Sequence, residues 1–197
     1  MLKRLMQRCR HSGVPFQHWL GMPDGGELMA LDCETTGLDV RRAELVSVAA
    51  VPIRHGRART GAALDLRLRA PASLDAASIR IHRLRSVDLS NGLEPGDALE
   101  QLIGFIGNRP LVGWCLNFDL AVINRYSRAR LGFDLPNPKV ELSELYRRHQ
   151  QRRCPNTLPD LRFDVAARQL GVPLLDRHSA RGDATTAALM YLRLKRP

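Results

Sequence analysis

The chain has 197 residues, with 30 Lys and Arg against 20 Asp and Glu, a formal net charge of +10. That length suits one domain with its own core, and that charge suits either a polyanionic partner or a solvated basic face. Cys9, Cys33, Cys115 and Cys154 are too scattered for a disulfide framework or a Cys-x-x-Cys zinc site. No apolar run reaches membrane-spanning length, and the basic start lacks the apolar core of a secretory signal, so a cytoplasmic location is expected.

Residues 1–26 read as a basic N-terminal helical arm and connector. Leu2, Leu5, Met6 and Cys9 recur at helical spacing, and Met22-Pro23-Asp24-Gly25-Gly26 is turn-rich. Strands are predicted at 28–34, 44–53 and 61–69, the last alternating Leu64, Leu66 and Leu68 with Asp65, Arg67 and Arg69, and His55-Gly56-Arg57 is the turn before it. A short helix follows Pro71 and Ser73, and another is expected over about 98–107 with Asp97 as N-cap. Leu111–Cys115 reads as a fourth strand with a helix over 118–131. A short fifth strand near 138–142 leads into a basic helix to about 150, and helices over about 158–170 and 182–194 close the chain. Three consecutive strands followed by strands alternating with helices make a mixed α/β architecture.

Leu31-Asp32-Cys33-Glu34-Thr35-Thr36-Gly37-Leu38 places two carboxylates two residues apart at the end of an apolar strand. Residues i and i+2 of a strand share a face, so Asp32 and Glu34 repel unless a cation lies between them. Mg²⁺ or Mn²⁺, which prefer oxygen ligands, suit that position. On its own the triplet also fits an exposed acidic strand end. Asp119 falls in the first turn of the helix after the fourth strand, and Asp183 opens the last helix five residues after His178. Either aspartate alone also reads as a helix cap.

Taken together, Asp32-x-Glu34-Thr35-Thr36-Gly37-Leu38, Asp119 and His178-x-Ala180-x-x-Asp183-Ala184 resemble the DEDDh family of 3′→5′ exonucleases. That family includes the proofreading epsilon subunit of bacterial replicative polymerases and ribonuclease T. The resemblance covers roughly 28–194 and implies a ribonuclease H-like fold over an exonuclease domain at 27–197. The sheet would be five-stranded and mixed, in order 3-2-1-4-5 with strand 2 antiparallel, flanked by helices. It further implies two divalent metal ions, Mg²⁺ or Mn²⁺. Asp32 would bridge both, Glu34 and Asp183 would complete the nucleophile side, Asp119 the leaving-group side, and His178 would be the general base. Thr35, Thr36 and Leu38 match positions lining the terminal-nucleotide pocket, and His82 falls where relatives carry a His-Gly-Ile-Thr element. Relatives commonly read His-Asn after the glycine matching Gly113. Here Trp114-Cys115 stands there, and Asn117 is the nearest substitute.

The expected activity is release of nucleoside 5′-monophosphates from the 3′ end, with single-stranded DNA favoured and RNA the alternative substrate. A ribonuclease T- or oligoribonuclease-type exoribonuclease is the nearest rival, and an inactive nucleic-acid-binding or polymerase-docking module the rival from another class. No membrane partner is expected, and a polymerase or repair partner is not evident in the sequence.

Overall fold

The computed structural model describes residues 26–195, so residues 1–25 of the expected arm lie outside the described residues. The apolar start of Leu28–Thr35 builds strand β1. β2 (Leu45–Arg54), whose side chains are nearly all buried, pairs antiparallel along it, Asp32 opposite Ala49 and Glu34 opposite Ser47. Then come β3 (Arg57–Ala58), β4 (Leu64–Arg67), α1 (Ala76–His82), α2 (Pro95–Ile106), β5 (Leu111–Gly113) and α3 (Leu116–Leu131). β6 (Lys139–Glu141), α4 (Leu142–Arg153), α5 (Phe163–Gln169) and α6 (Ala180–Lys195) complete the described chain.

The sheet runs β3-β2-β1-β5-β6, with β4 also paired to β2. β5 and β6 are parallel to β1, whereas β2 is antiparallel to β1, β3 and β4. Counting β4, β5 and β6 as the third, fourth and fifth expected strands, the order 3-2-1-4-5 with an antiparallel second strand is observed. One correction concerns strand number, which is six. His55 and Gly56 both adopt positive φ, a two-residue reversal that folds Arg57–Ala58 straight back onto Ile53–Arg54. A 3₁₀ turn at Thr60–Ala62 then breaks the expected 61–69 strand, leaving Leu64–Arg67 as a separate segment.

Helix ends shift for local reasons. α2 starts at Pro95, whose fixed φ suits a first helical position, so Asp97 lies inside the first turn and is not the N-cap. α5 starts at Phe163 and not near 158. Pro159 biases Leu158 away from helical backbone, Asp160 pairs with Arg162, and Leu158 stays in solvent.

Alternation along β1 divides the core. Met29 and Leu31 pack with Leu99, Leu102 and Ile103 of α2 and Leu120 and Ile123 of α3. On the other face Ala30 meets Tyr146 of α4, Phe163 and Ala166 of α5, and Ala184, Ala187 and Ala188 of α6. Each fully buried leucine contributes roughly 1.5–3 kcal/mol. The alanines act differently: their small side chains let α6 lie close on β1 and β2. Asp32 and Glu34 continue the Ala30 face beyond the core, so α6 arrives beside them. Among the described residues no helix is long and apolar enough to cross a membrane.

Candidate active site

Asp32 and Glu34 leave the end of β1 into a cleft of about 430 Å³ that Asp119, His178 and Asp183 also line. Carboxylate oxygens of Asp32, Glu34 and Asp183 lie within 4.8 Å of one another. Asp119 reaches the same cleft from the opposite face of the sheet, on the first turn of α3, and is not part of that three-residue group. Glu34, Asp119 and Asp183 are buried, and Asp32 is half-buried. Cys33 points to the α2–α3 side and packs against that core.

Such crowding raises the cost of ionisation. Burial, reinforced in turn by Asp119, Asp183 and Glu34, holds the Asp32 carboxyl well above the ordinary range, while Arg177 pulls it down. Burial and Asp183 push Glu34 up to about 7, again against Arg177. Asp119 is raised by burial, then Glu141 and Glu34. Asp183 rises through burial despite Arg177 and the His178 backbone N–H.

The donors fit hard divalent cations. All four are carboxylates, three already converge, and Asp183 Oδ1 is buried with no hydrogen-bond partner. Asp32, Glu34, Asp183 and Asp119 are therefore the residues that could hold Mg²⁺ or Mn²⁺, the oxygen-seeking ions expected from the sequence.

Local sequence explains how α6 delivers its parts. Ser179 Oγ accepts from the Gly182 N–H at 3.0 Å and caps the helix. A Cβ on Gly182 would sit 2.0 Å from the Leu175 carbonyl oxygen, so only glycine lets this loop press against α6. Leu175 N–H also donates to Thr186 Oγ1 at 3.1 Å. Between these fastenings Asp176 and His178 both hold positive φ. The half-buried His178 lines the cleft, its backbone N–H donates to Asp183 Oδ2 at 3.2 Å, and burial followed by Arg177 lowers its imidazole pKa below 6.5.

The remaining expected residues divide. Thr35, Thr36 and Leu38 line the cleft, with Leu38 88% exposed. Thr35 Oγ1 donates to the Gly37 carbonyl at 2.9 Å, and Thr36 Oγ1 accepts from Glu44 N–H at 3.1 Å, which fixes the loop. His82 lines the cleft but is buried; its Nδ1 accepts from Leu84 N–H and its Nε2 has no partner. Asn117 is not among the cleft-lining residues. Its side chain donates to Glu141 at 3.2 Å and accepts from Lys139 at 2.5 Å.

Two residues of the site lay outside the sequence expectations. Glu141, at the end of β6, accepts from the N–H groups of Cys115 and Asn117 at 2.8 and 3.2 Å. It thereby caps α3, because Cys115 sits in left-handed backbone and supplies no side-chain cap. Trp114 turns into an aromatic cluster with Tyr146 and Phe163, centroids 5.8 and 5.6 Å away. Arg177 is the second: it donates to Asp183 Oδ2 and its guanidinium lies 4.6 Å over the Phe163 ring. An acidic residue ahead of the basic helix was the only signal for Glu141, and Arg177 had none beyond adjacency to His178.

The RNase_T family model, described as an exonuclease, matches residues 29–191. The chain is 24% identical over 170 residues to a PolC-type DNA polymerase III of Thermotoga petrophila, covering 86% of this chain and 12% of that protein. With the PolC-type DNA polymerase III of Thermotoga maritima it shares 24% identity over 165 residues, covering 84% of this chain and 12% of the polymerase. It thus spans about an eighth of the length of these curated relatives. Among solved structures, E. coli exonuclease I in complex with a dT13 oligonucleotide matches with TM-score 0.71 at 15% identity, over 85% of this chain and 40% of that one. Cell-death related nuclease 4 matches with TM-score 0.71 at 16% identity, over 85% of this chain and 63% of that one. At these identities the structural likeness is one of fold.

Proposed function

The chain belongs to this exonuclease family, and on that footing we propose that it is a metal-dependent 3′→5′ exonuclease acting on single-stranded DNA and releasing nucleoside 5′-monophosphates. The observation that carries the reading is the convergence of Asp32, Glu34 and Asp183 within 4.8 Å in a cleft shared with His178 and Asp119.

Two bound Mg²⁺ or Mn²⁺ ions would compensate the charge that develops on the phosphate and polarise the attacking water. Asp32, whose carboxyl is raised by both Asp119 and Asp183, would contact both ions. Glu34 and Asp183 would hold the one on the nucleophile side, and Asp119 the one on the leaving side. His178, whose lowered pKa leaves it neutral near pH 7, takes the proton from the water as its oxygen bonds to phosphorus. The bond from phosphorus to the 3′-oxygen of the preceding nucleotide breaks, and that oxygen takes a proton from solvent water. Leu38 and Ile81, exposed apolar residues on the cleft wall, offer surfaces for an unstacked base, which supports a single-stranded substrate. The Thr35–Leu38 loop and His82 complete the 3′-terminal pocket in this reading. The oligonucleotide in the exonuclease I structure supports DNA, and the PolC-type names suggest a polymerase as a partner.

The test is digestion of 5′-labelled DNA and RNA, single- and double-stranded, with Mg²⁺ or Mn²⁺ and with chelator. Single-stranded DNA should shorten from its 3′ end only when metal is present. Asp32→Ala should lose about 10⁴-fold in rate, since metal-borne charge stabilisation contributes several kcal/mol. Full hydrolysis in chelator, or by Asp32→Ala, would falsify the metal assignment, and shortening of RNA alone would move the substrate.

A further inference from the structure

Among the described residues, Arg177 is the cation that lowers the pKa of Asp32, Glu34 and Asp183 alike. Its Nη1 donates to Asp183 Oδ2, leaving Asp183 Oδ1 buried and unpartnered. The arginine side chain is 34% exposed against 6% for the aspartate, so it reaches from the cleft mouth into the carboxylates. Its guanidinium lies over the Phe163 ring, 4.6 Å from the centroid. Its backbone is flanked by two residues of positive φ, on a loop held against α6 at Gly182.

This arrangement has two physical consequences. A guanidinium on Asp183 and a divalent cation sharing that carboxylate would repel, so a metal ion must displace Arg177 to use Asp183 fully. Once displaced, the guanidinium remains anchored through its stem and ring contact at the cleft mouth, and its planar fork matches a phosphate. We propose that Arg177 is a tethered counter-ion that neutralises Asp183 in the metal-free protein and passes to a phosphate of the nucleic acid when divalent metal takes its place. This rests on the metal-nuclease reading and adds a coupling to it. Metal frees the arginine for the substrate, the substrate holds the arginine away from the metal site, and the two ligands tighten one another by the same factor.

The full-length protein, stripped with chelator, is titrated with Mn²⁺ while free Mn²⁺ is followed by electron paramagnetic resonance. Titrations are run with and without a DNA oligonucleotide whose 3′ linkages resist hydrolysis. Without DNA, Arg177→Gln should bind Mn²⁺ about tenfold more tightly than wild type, because nothing needs displacing. DNA should tighten Mn²⁺ more in the wild type than in Arg177→Gln, where only the contact between phosphate and metal itself is left to couple them. Arg177→Lys retains the charge but not the planar fork, and should fall between them; it serves also if the glutamine variant fails to fold. Wild-type Mn²⁺ affinity in these variants, or DNA coupling as strong in Arg177→Gln as in the wild type, would overturn the proposal. A wild type that binds no Mn²⁺ at all would overturn the metal-nuclease reading itself, and the arginine exchange with it.

Discussion

Asp119 and Asp183 hold the same place in two helices. Each is the fourth residue of its helix, α3 and α6 respectively, and each reaches the end of β1 from a different face of the sheet. Both sit in a first turn, where the helix dipole favours an anion, and both are almost fully buried. Their neighbours make them unlike. Behind Asp183 stand Arg177 and the His178 N–H, which favour its charge. Behind Asp119 stands Glu141, which caps α3 and opposes that charge. A helix start fixes where a carboxylate goes, and the adjoining loops fix how readily it ionises. The α6 end carries its own cation, whereas the α3 end, with an extra anion behind it, needs one supplied.

The sharpest way to break this comparison is through His178, which belongs to the α6 end alone. His178→Ala should lower kcat by about 10²–10⁴-fold. In the wild type kcat should rise with pH along a limb centred below 6.5, because burial and Arg177 favour the neutral imidazole. The variant should lack that limb. A variant with the wild-type rate and pH profile would remove His178 from the chemistry.

The pH dependence of the metal-free protein sharpens it next. Glu34 is raised from 4.5 to about 7, and Asp32 and Asp119 are raised as well. A raised carboxyl stabilises the fold below its unfolded pKa, and that contribution disappears as pH climbs through the folded value. The chelated protein should therefore lose about 3 kcal/mol from Glu34 alone between pH 4.5 and 7. Thermal melts should show a metal-free Tm falling from pH 5 to 8, with a gap to the Mg²⁺-loaded Tm that widens over the same range. Asp119→Asn should restore more metal-free stability at pH 8 than Asp183→Asn, which also leaves Arg177 without its partner. A metal-free Tm that stays flat over this range would mean the cluster is not short of positive charge.

The smallest effect concerns Glu141. Glu141→Ala leaves two N–H groups at the start of α3 without their acceptor and should cost about 1 kcal/mol, read as a lower Tm. Glu141→Gln keeps one oxygen to accept from Cys115 N–H but loses the acceptor for Asn117 N–H, so it should cost less than alanine while easing the ionisation of Asp119. Equal melting temperatures for alanine and wild type would show that α3 needs no cap.

Much of the frame could be read from local pattern. The apolar run into Asp32 and Glu34, and the alternation through Leu64, Leu66 and Leu68, each report a strand through the period of their side chains. The smaller departures had local causes with weak signatures. His55-Gly56 makes a two-residue reversal without the usual Asn-Gly or Asp-Gly pair, and Pro95 takes the helix start that Asp97 resembled. Arg177 and Glu141 were hidden for another reason. Their roles depend on which carboxylate or amide the fold sets beside them, and 27 arginines in one chain look alike until it does. Asp119 and Asp183 were legible as positions, but the difference between them was not.

α6 is the last helix of the described chain, yet it packs on β1, the first strand. The consequence is one of timing. A polypeptide still emerging from the ribosome can present Asp32, Glu34 and Asp119 long before Arg177, His178 and Asp183 exist. Contacts between such distant segments close late, because chain entropy must be lost before they form. The cleft is complete only once α6 has docked, and a half-made molecule lacks Arg177, His178 and Asp183 altogether.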